Sequence, residues 1–169
     1  HRLFGLGARY MTLTHSDTLA WADSATDETK HDGLNDFGEA VVREMNKIGM
    51  IVDLSHVSEA TMHDALDISI APIMFSHSSA RSIANHVRNV PDTVLKRMRQ
   101  NGGIVMVNFF SGFVDPQAAQ IMSNMFDVSR ELRKKHQDDD EYNTAMASWR
   151  AANPYPPGTI YDVVDHIDH

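Results

Sequence analysis

Two short apolar runs, Met50-Ile-Val-Asp-Leu-Ser-His56 and Pro72-Ile-Met-Phe-Ser-His77, each end in a histidine, and the histidines stand 21 positions apart. Between them, Val57 to Ile70 reads as one helix. The unit is therefore strand–helix–strand with an imidazole at the carboxyl end of each strand. In a parallel α/β fold that edge is where ligands and metals sit. Two neutral imidazoles on adjacent strand ends can reach one or two metal ions, at about 2.0–2.1 Å each. A lone histidine there would more simply be a hydrogen-bonded strand end. Two in equivalent places on successive strands favour a metal site, with His56 and His77 as ligands.

The flanking sequence repeats the alternation. Ala8 to Thr14 is rich in β-branched and aromatic residues and reads as a strand running into His15. Ser16 to Gly33 is polar and reads as a long irregular loop, of the kind that is usually functional or mobile, with Trp21 as its packing anchor. Phe37, Val41, Met45 and Ile48 recur at helical spacing, with Asp36 and Glu39 as a capping box and Gly49 as the C-cap. Ser58 caps the next helix, and Ala71-Pro72 ends it. Pro91 to Gln100 predicts a third helix, stopped by Asn101-Gly102-Gly103, and Ile104 to Phe109 a fourth strand. This order predicts a parallel α/β sheet.

The last third changes character. Pro116 to Lys135 predicts a helix with Ile121, Met125, Val128 and Leu132 on one face. His136 to Glu141 reads as a solvated charge run, residues 142–152 as a helix, and Asn153 to Gly158 as a rigid loop. Thr159, with Asp162 three positions later, opens a final helix. His31, His63 and His136 lie in polar stretches and are expected to be solvated.

Bulk properties narrow the function. A net charge of −8 argues against nucleic acid or an anionic membrane surface as partner. No membrane anchor is visible in the sequence, and the compartment is left open. The absence of cysteine excludes disulfides, thiolate nucleophiles and Cys-type zinc sites.

Three further residues are candidates by position. His15, at the end of the first strand, could be a third ligand, a donor to an oxyanion, a substrate anchor or a structural histidine. Asp53 lies within its strand and either orients a neighbour or is a buried structural carboxylate, the second being preferred. Arg88, in a loop on the same edge, suits a substrate carboxylate because its fork engages two oxygens at once; the alternative is a salt bridge. A two-metal hydrolase also needs a bridging carboxylate and an acid/base group. No strand here ends in one.

Several longer motifs carry a family resemblance. Gly7-Ala-Arg-Tyr-Met-Thr-Leu-Thr-His15, Phe37 to Asn46, Val52-Asp-Leu-Ser-His56, Phe75-Ser-His-Ser-Ser79, Arg88-Asn-Val-Pro-Asp92 and Ile104 to Phe109 occur in this order. Over about Gly5 to Phe110 the chain resembles the membrane (renal-type) dipeptidases, zinc metallopeptidases among the amidohydrolase-like TIM barrels. The resemblance implies an α/β fold, a partial (β/α)8 TIM barrel with about four of its strands present. Residues 1–169 would be the central part of one metallopeptidase barrel domain and 115–158 a variable helical insertion.

The same resemblance implies roles. His56 and His77 match two ligands of a binuclear zinc centre. His15 matches a catalytic, substrate-contacting histidine, and Arg88 the arginine that binds the substrate carboxylate. The family's His-x-Asp ligands and bridging glutamate are expected before His1 and its catalytic aspartate after His169, so the fragment alone is expected to be inactive. The implied function is zinc-dependent hydrolysis of dipeptides by a metal-bridged hydroxide, in a possible homodimer. The rivals are another metal-dependent amidohydrolase of this barrel class, such as an amidase or lactonase, and a non-catalytic barrel that has lost its metal.

Overall fold

The computed structural model describes residues 1–169. In chain order the elements are α1 (Arg2–Gly5), β1 (Tyr10–Thr12), α2 (Asp36–Ile48), β2 (Ile51–Asp53), α3 (Glu59–Ile68), β3 (Met74–Phe75) and α4 (Asp92–Asn101). They continue with β4 (Ile104–Val105), α5 (Ser111–Val114), α6 (Pro116–Lys135), α7 (Asp139–Ala152) and α8 (Ile160–Asp168). The four strands pair in parallel in the order β1-β2-β3-β4, with Tyr10 opposite Ile51, Asp53 opposite Met74 and Phe75 opposite Val105. Sequential order with a helix at every crossover is barrel topology; a doubly wound sheet would reverse direction at a switch point. The chain is thus the α/β, partial TIM-barrel arrangement expected.

Period two decides the two faces. Val52 and Phe75 point outward and bury against Val42 and Met45 of α2, Met62 and Ala65 of α3, and Val94 and Met98 of α4, in one apolar cluster. Tyr10, Ile51, Ile104 and Met106 have the other parity and are exposed. They mark the inner face of the curved sheet, which also carries Thr12, Asp53 and Ser76. No helix is long and apolar enough to cross a membrane.

Local chemistry explains the boundaries, and it corrects several expectations. The strands are shorter than predicted, because the chain leaves the ladder early to form the loops that carry the site. Asn35 caps α2 by accepting from the Phe37 and Gly38 amides; Asp36 is already helical, so there is no Asp36–Glu39 capping box. The buried stripe of α2 is Gly38, Val42 and Met45, while Phe37 is exposed and meets Trp21 edge-on. Gly49 and Gly102 both adopt left-handed C-caps, at φ 78° and 76°. Ser58 caps α3 through the Thr61 amide, and Thr159 with Asp162 forms a full capping box on α8, both as predicted.

The charge run is not all loop. Asp138 caps α7, and Asp139, Asp140 and Glu141 fill its first turn, where the helix dipole favours acids. In α6 the buried residues are Ala118, Ala119 and Met122; the predicted Ile121 and Met125 are half-buried and line a groove against Trp149 of α7. His31, His63 and His136 are half-buried rather than solvated, and each ring is hydrogen-bonded. The α1 and α5 turns were not anticipated.

Candidate metal centre

Carboxylates order the loop between β1 and α2: Asp27 accepts from the Thr18 amide at 2.7 Å, and Asp23 does more. Asp23 is fully buried and accepts from the amides of Lys30, His31 and Gly33 at 2.9–3.2 Å. Burial pushes its pKa up, but these amide donors prevail and hold it below the ordinary range. The Ser24 hydroxyl lies 2.9 Å from both the His15 and Ser16 carbonyl oxygens. The Ala25 amide donates to the His56 carbonyl at 2.8 Å. The loop therefore clips the end of β1 to the end of β2, and it is a built part of the site. Asp23 and Ser24 had no signal in the sequence beyond their place in a polar run.

That clip places three rings together. His15 stacks on His56 with centroids 4.2 Å apart, and His56 meets His77 edge-on at 4.8 Å. The two Nε2 atoms of His56 and His77 converge to 2.8 Å. His56 has φ 74°, a left-handed conformation uncommon outside glycine, and its ring contacts those of both His15 and His77. His15 is the exposed member, with Nδ1 3.1 Å from the Ser16 hydroxyl.

Electrostatics keep the inner pair uncharged. Burial, then the positive charge of Arg88, lowers the His56 pKa to about 3, since a proton there would also face the neighbouring imidazoles. Burial and Arg88 lower His77 as well. At neutral pH both rings are neutral imidazoles, the form that ligates metal.

Arg88 is buried, and no carboxylate forms an ion pair with it. Its guanidinium lies 5.2 Å from the Phe113 ring centroid of α5, one terminal nitrogen is 3.5 Å from the His77 carbonyl, and Nε has no partner. Burial lowers its pKa to about 10, so it stays protonated at neutral pH. Within residues 1–169 no salt bridge accounts for Arg88. A buried cation without an anion is costly, and an anion arriving from solvent would relieve it.

Asp53 is fully buried and accepts four hydrogen bonds: from the Thr12 and Ser76 hydroxyls at 2.6 Å each, and from the Ser55 and Ser76 amides at 3.0 Å each. Burial raises its pKa, but these donors together bring it below the usual carboxylate value. It is the buried, hydrogen-bonded carboxylate expected, and through Ser76 it also touches the site.

The structure thus brings His15, His56, His77 and Arg88 to one edge of the sheet. As a metal site the set is partial. Two convergent neutral imidazoles fit a first-row metal, but no group of three or more His, Asp or Glu side chains is placed to hold an ion unaided.

Known proteins resemble this chain in sequence and fold. The chain is 56% identical over 119 residues to dipeptidase tcpJ of Claviceps purpurea, covering 69% of this chain and 28% of that protein. It is 51% identical over 116 residues to the uncharacterized dipeptidase C3A11.10c of Schizosaccharomyces pombe, covering 68% and 28%. It therefore spans 28% of the length of these curated relatives. The probable dipeptidase PvdM of Pseudomonas aeruginosa superposes with a TM-score of 0.80 over 99% of this chain and 48% of its own, at 21% identity, a likeness of fold. A metallo peptidase of Rhodobacter sphaeroides, solved with a phosphinate mimic of the dipeptide L-Ala-D-Ala, superposes at 0.64 with 27% identity, over 70% of this chain and 35% of its own. The membrane dipeptidase model, peptidase family M19, matches residues 1–169 from end to end, and the chain belongs to that family.

Proposed function

We propose that the protein containing this chain is a zinc-dependent dipeptidase, with His56 and His77 as two ligands of a binuclear centre. The observation that carries the reading is the convergence of two neutral Nε2 atoms beside a buried guanidinium that lacks an anion. Zinc held there would polarise a scissile carbonyl and lower the pKa of water.

The chain's own residues do the rest. Arg88 takes the C-terminal carboxylate of a dipeptide on its fork, desolvated under Phe113, so substrate length is set by the distance from Arg88 to the imidazoles. His15 is the catalytic histidine of this set. Its exposed ring, held by stacking on His56, donates to the carbonyl oxygen as charge develops on it. His56 and His77 stay uncharged at neutral pH and so do not repel a cation. This reading needs further ligands and a proton-shuttling acid beyond the side chains gathered at this edge. In the same reading, 115–158 is a variable insertion, and α5 just before it sets Phe113 against the Arg88 guanidinium.

The test uses the intact protein. Wild type should carry zinc and hydrolyse dipeptides in preference to N-acyl amino acids and lactones, and His77→Ala should lose both zinc and activity. A zinc-free active protein, a His77→Ala variant that keeps metal and full activity, or a preference for N-acyl or lactone substrates would overturn the assignment.

A further inference from the structure

Ser76 joins Asp53 to His77. Its hydroxyl lies 2.6 Å from Asp53 Oδ2 and 2.7 Å from His77 Nδ1. A hydroxyl has one proton, and an ionised carboxylate can only accept. Asp53 is held ionised by four donors, two of them backbone amides that cannot turn away. The Ser76 proton therefore goes to Asp53. The Ser76 oxygen then has only lone pairs to offer His77, so Nδ1 must carry the hydrogen and donate. Neutral imidazole has one N–H, which leaves Nε2 bare and facing His56.

We infer that Asp53, through Ser76, is a positioning device that presets His77 in its Nδ1–H tautomer, so that Nε2 is ready to ligate before any metal arrives. The inference rests on reading His77 as a ligand. It deepens that reading by assigning Asp53 and Ser76 a part in metal capture. The backbone supports the same geometry: the His77 amide donates to the Ser55 hydroxyl at 3.0 Å, which holds the end of β3 against the end of β2.

The two ligands are consequently unequal. His77 has its proton placed by the protein. With His77 Nε2 bare at 2.8 Å, the metal-free His56 must present Nε2–H to it. His56 thus has to move its proton to Nδ1 or release it when metal binds, whereas His77 does not. Hydrogen bonds that fix a ligating histidine typically change metal affinity by about 10- to 100-fold.

The experiment measures two quantities in the intact protein: zinc affinity by competition with a chelator, and the His77 tautomer of the metal-free form by long-range proton–nitrogen NMR. Wild type should show His77 as Nδ1–H. Ser76→Ala, which keeps the backbone amide bond to Asp53, should lose that single tautomer and bind zinc about 10- to 100-fold more weakly, while Ser76→Thr should restore both. Asp53→Asn serves as a second variant if it folds, and should also scramble the tautomer. If wild type binds zinc and Ser76→Ala binds it within twofold with the tautomer unchanged, the relay is wrong and the metal centre stands. If wild type binds no zinc, or His77→Ala binds it as well as wild type, the metal centre itself fails.

Discussion

His56 Nε2 and His77 Nε2 lie 2.8 Å apart although their residues end different strands, because β2 and β3 pair in parallel with Asp53 opposite Met74. That register carries both histidines just past one edge, where His56, in a left-handed backbone conformation, meets the His77 ring edge-on. The pair behaves as one unit, and this decides how mutations in it combine.

Each of His56→Ala and His77→Ala should weaken zinc binding by more than the roughly 100-fold seen for supporting groups. The double variant should cost little more than either single one, since residues acting as a unit are not additive. Multiplying losses in a chelator competition would show two independent sites.

Arg88 separates stability from function. Arg88→Met removes a buried charge that has no ion-pair partner but keeps most of the apolar bulk under Phe113. Folding stability should rise by about 1 kcal/mol or more. The KM for a dipeptide should rise at least about tenfold, and a dipeptide amide, lacking the carboxylate, should lose little. Chemical denaturation and KM measurements on both substrates check this; lower stability with unchanged KM would contradict it.

The buried histidines make the fold acid-sensitive. His86 is buried against Phe113 and Phe126 and accepts the Arg88 amide on Nδ1, and burial and then Arg88 lower its pKa from 6.5 to about 4. The unfolded chain takes up a proton that the native state resists, so stability is complete above pH 6.5 and is lost as pH falls towards 4. His86→Asn keeps an acceptor near the Nδ1 position and does not titrate. It should flatten the stability–pH slope in this window by up to about 1.4 kcal/mol per pH unit, one proton's worth. An unchanged slope would show that His86 is not the group responsible.

Asp53 has the opposite role in ionisation. Its lowered pKa means the carboxylate form stabilises the fold above the ordinary value near 3.8, and the contribution is lost as pH falls below it. Asp53→Ala leaves two hydroxyls and two buried amides without their acceptor and should cost about 3–5 kcal/mol. A loss under about 1 kcal/mol by denaturant titration would show that the network relaxes onto water.

Much of this was legible in the sequence. The helical spacing of α2, the caps and breakers that bound α3 and α4, and the short apolar runs between them are local signals, so element order and the parallel sheet could be read directly. The buried stripe of α2 nevertheless lies on Gly38, Val42 and Met45, of which the spacing pointed only to Met45. Asn35 was missed as the cap because Asp36 stands beside it and both residue types cap well. The stripe of α6 was misread because which of its half-apolar sides is covered depends on α5 and α7, not on its own period.

The sequence by itself determined the alternation of strands and helices, the histidines at successive strand ends and the arginine in the loop beyond them, because each depends on neighbours along the chain. Only the tertiary structure decided that His15 stacks on His56, that the two Nε2 atoms converge, that Arg88 is buried without an anion, and that Asp53 reaches His77 through Ser76. Those relations join residues 11 to 41 positions apart. They exist because strand register and the Asp23-ordered loop bring the side chains within hydrogen-bonding distance, and no local periodicity encodes that distance.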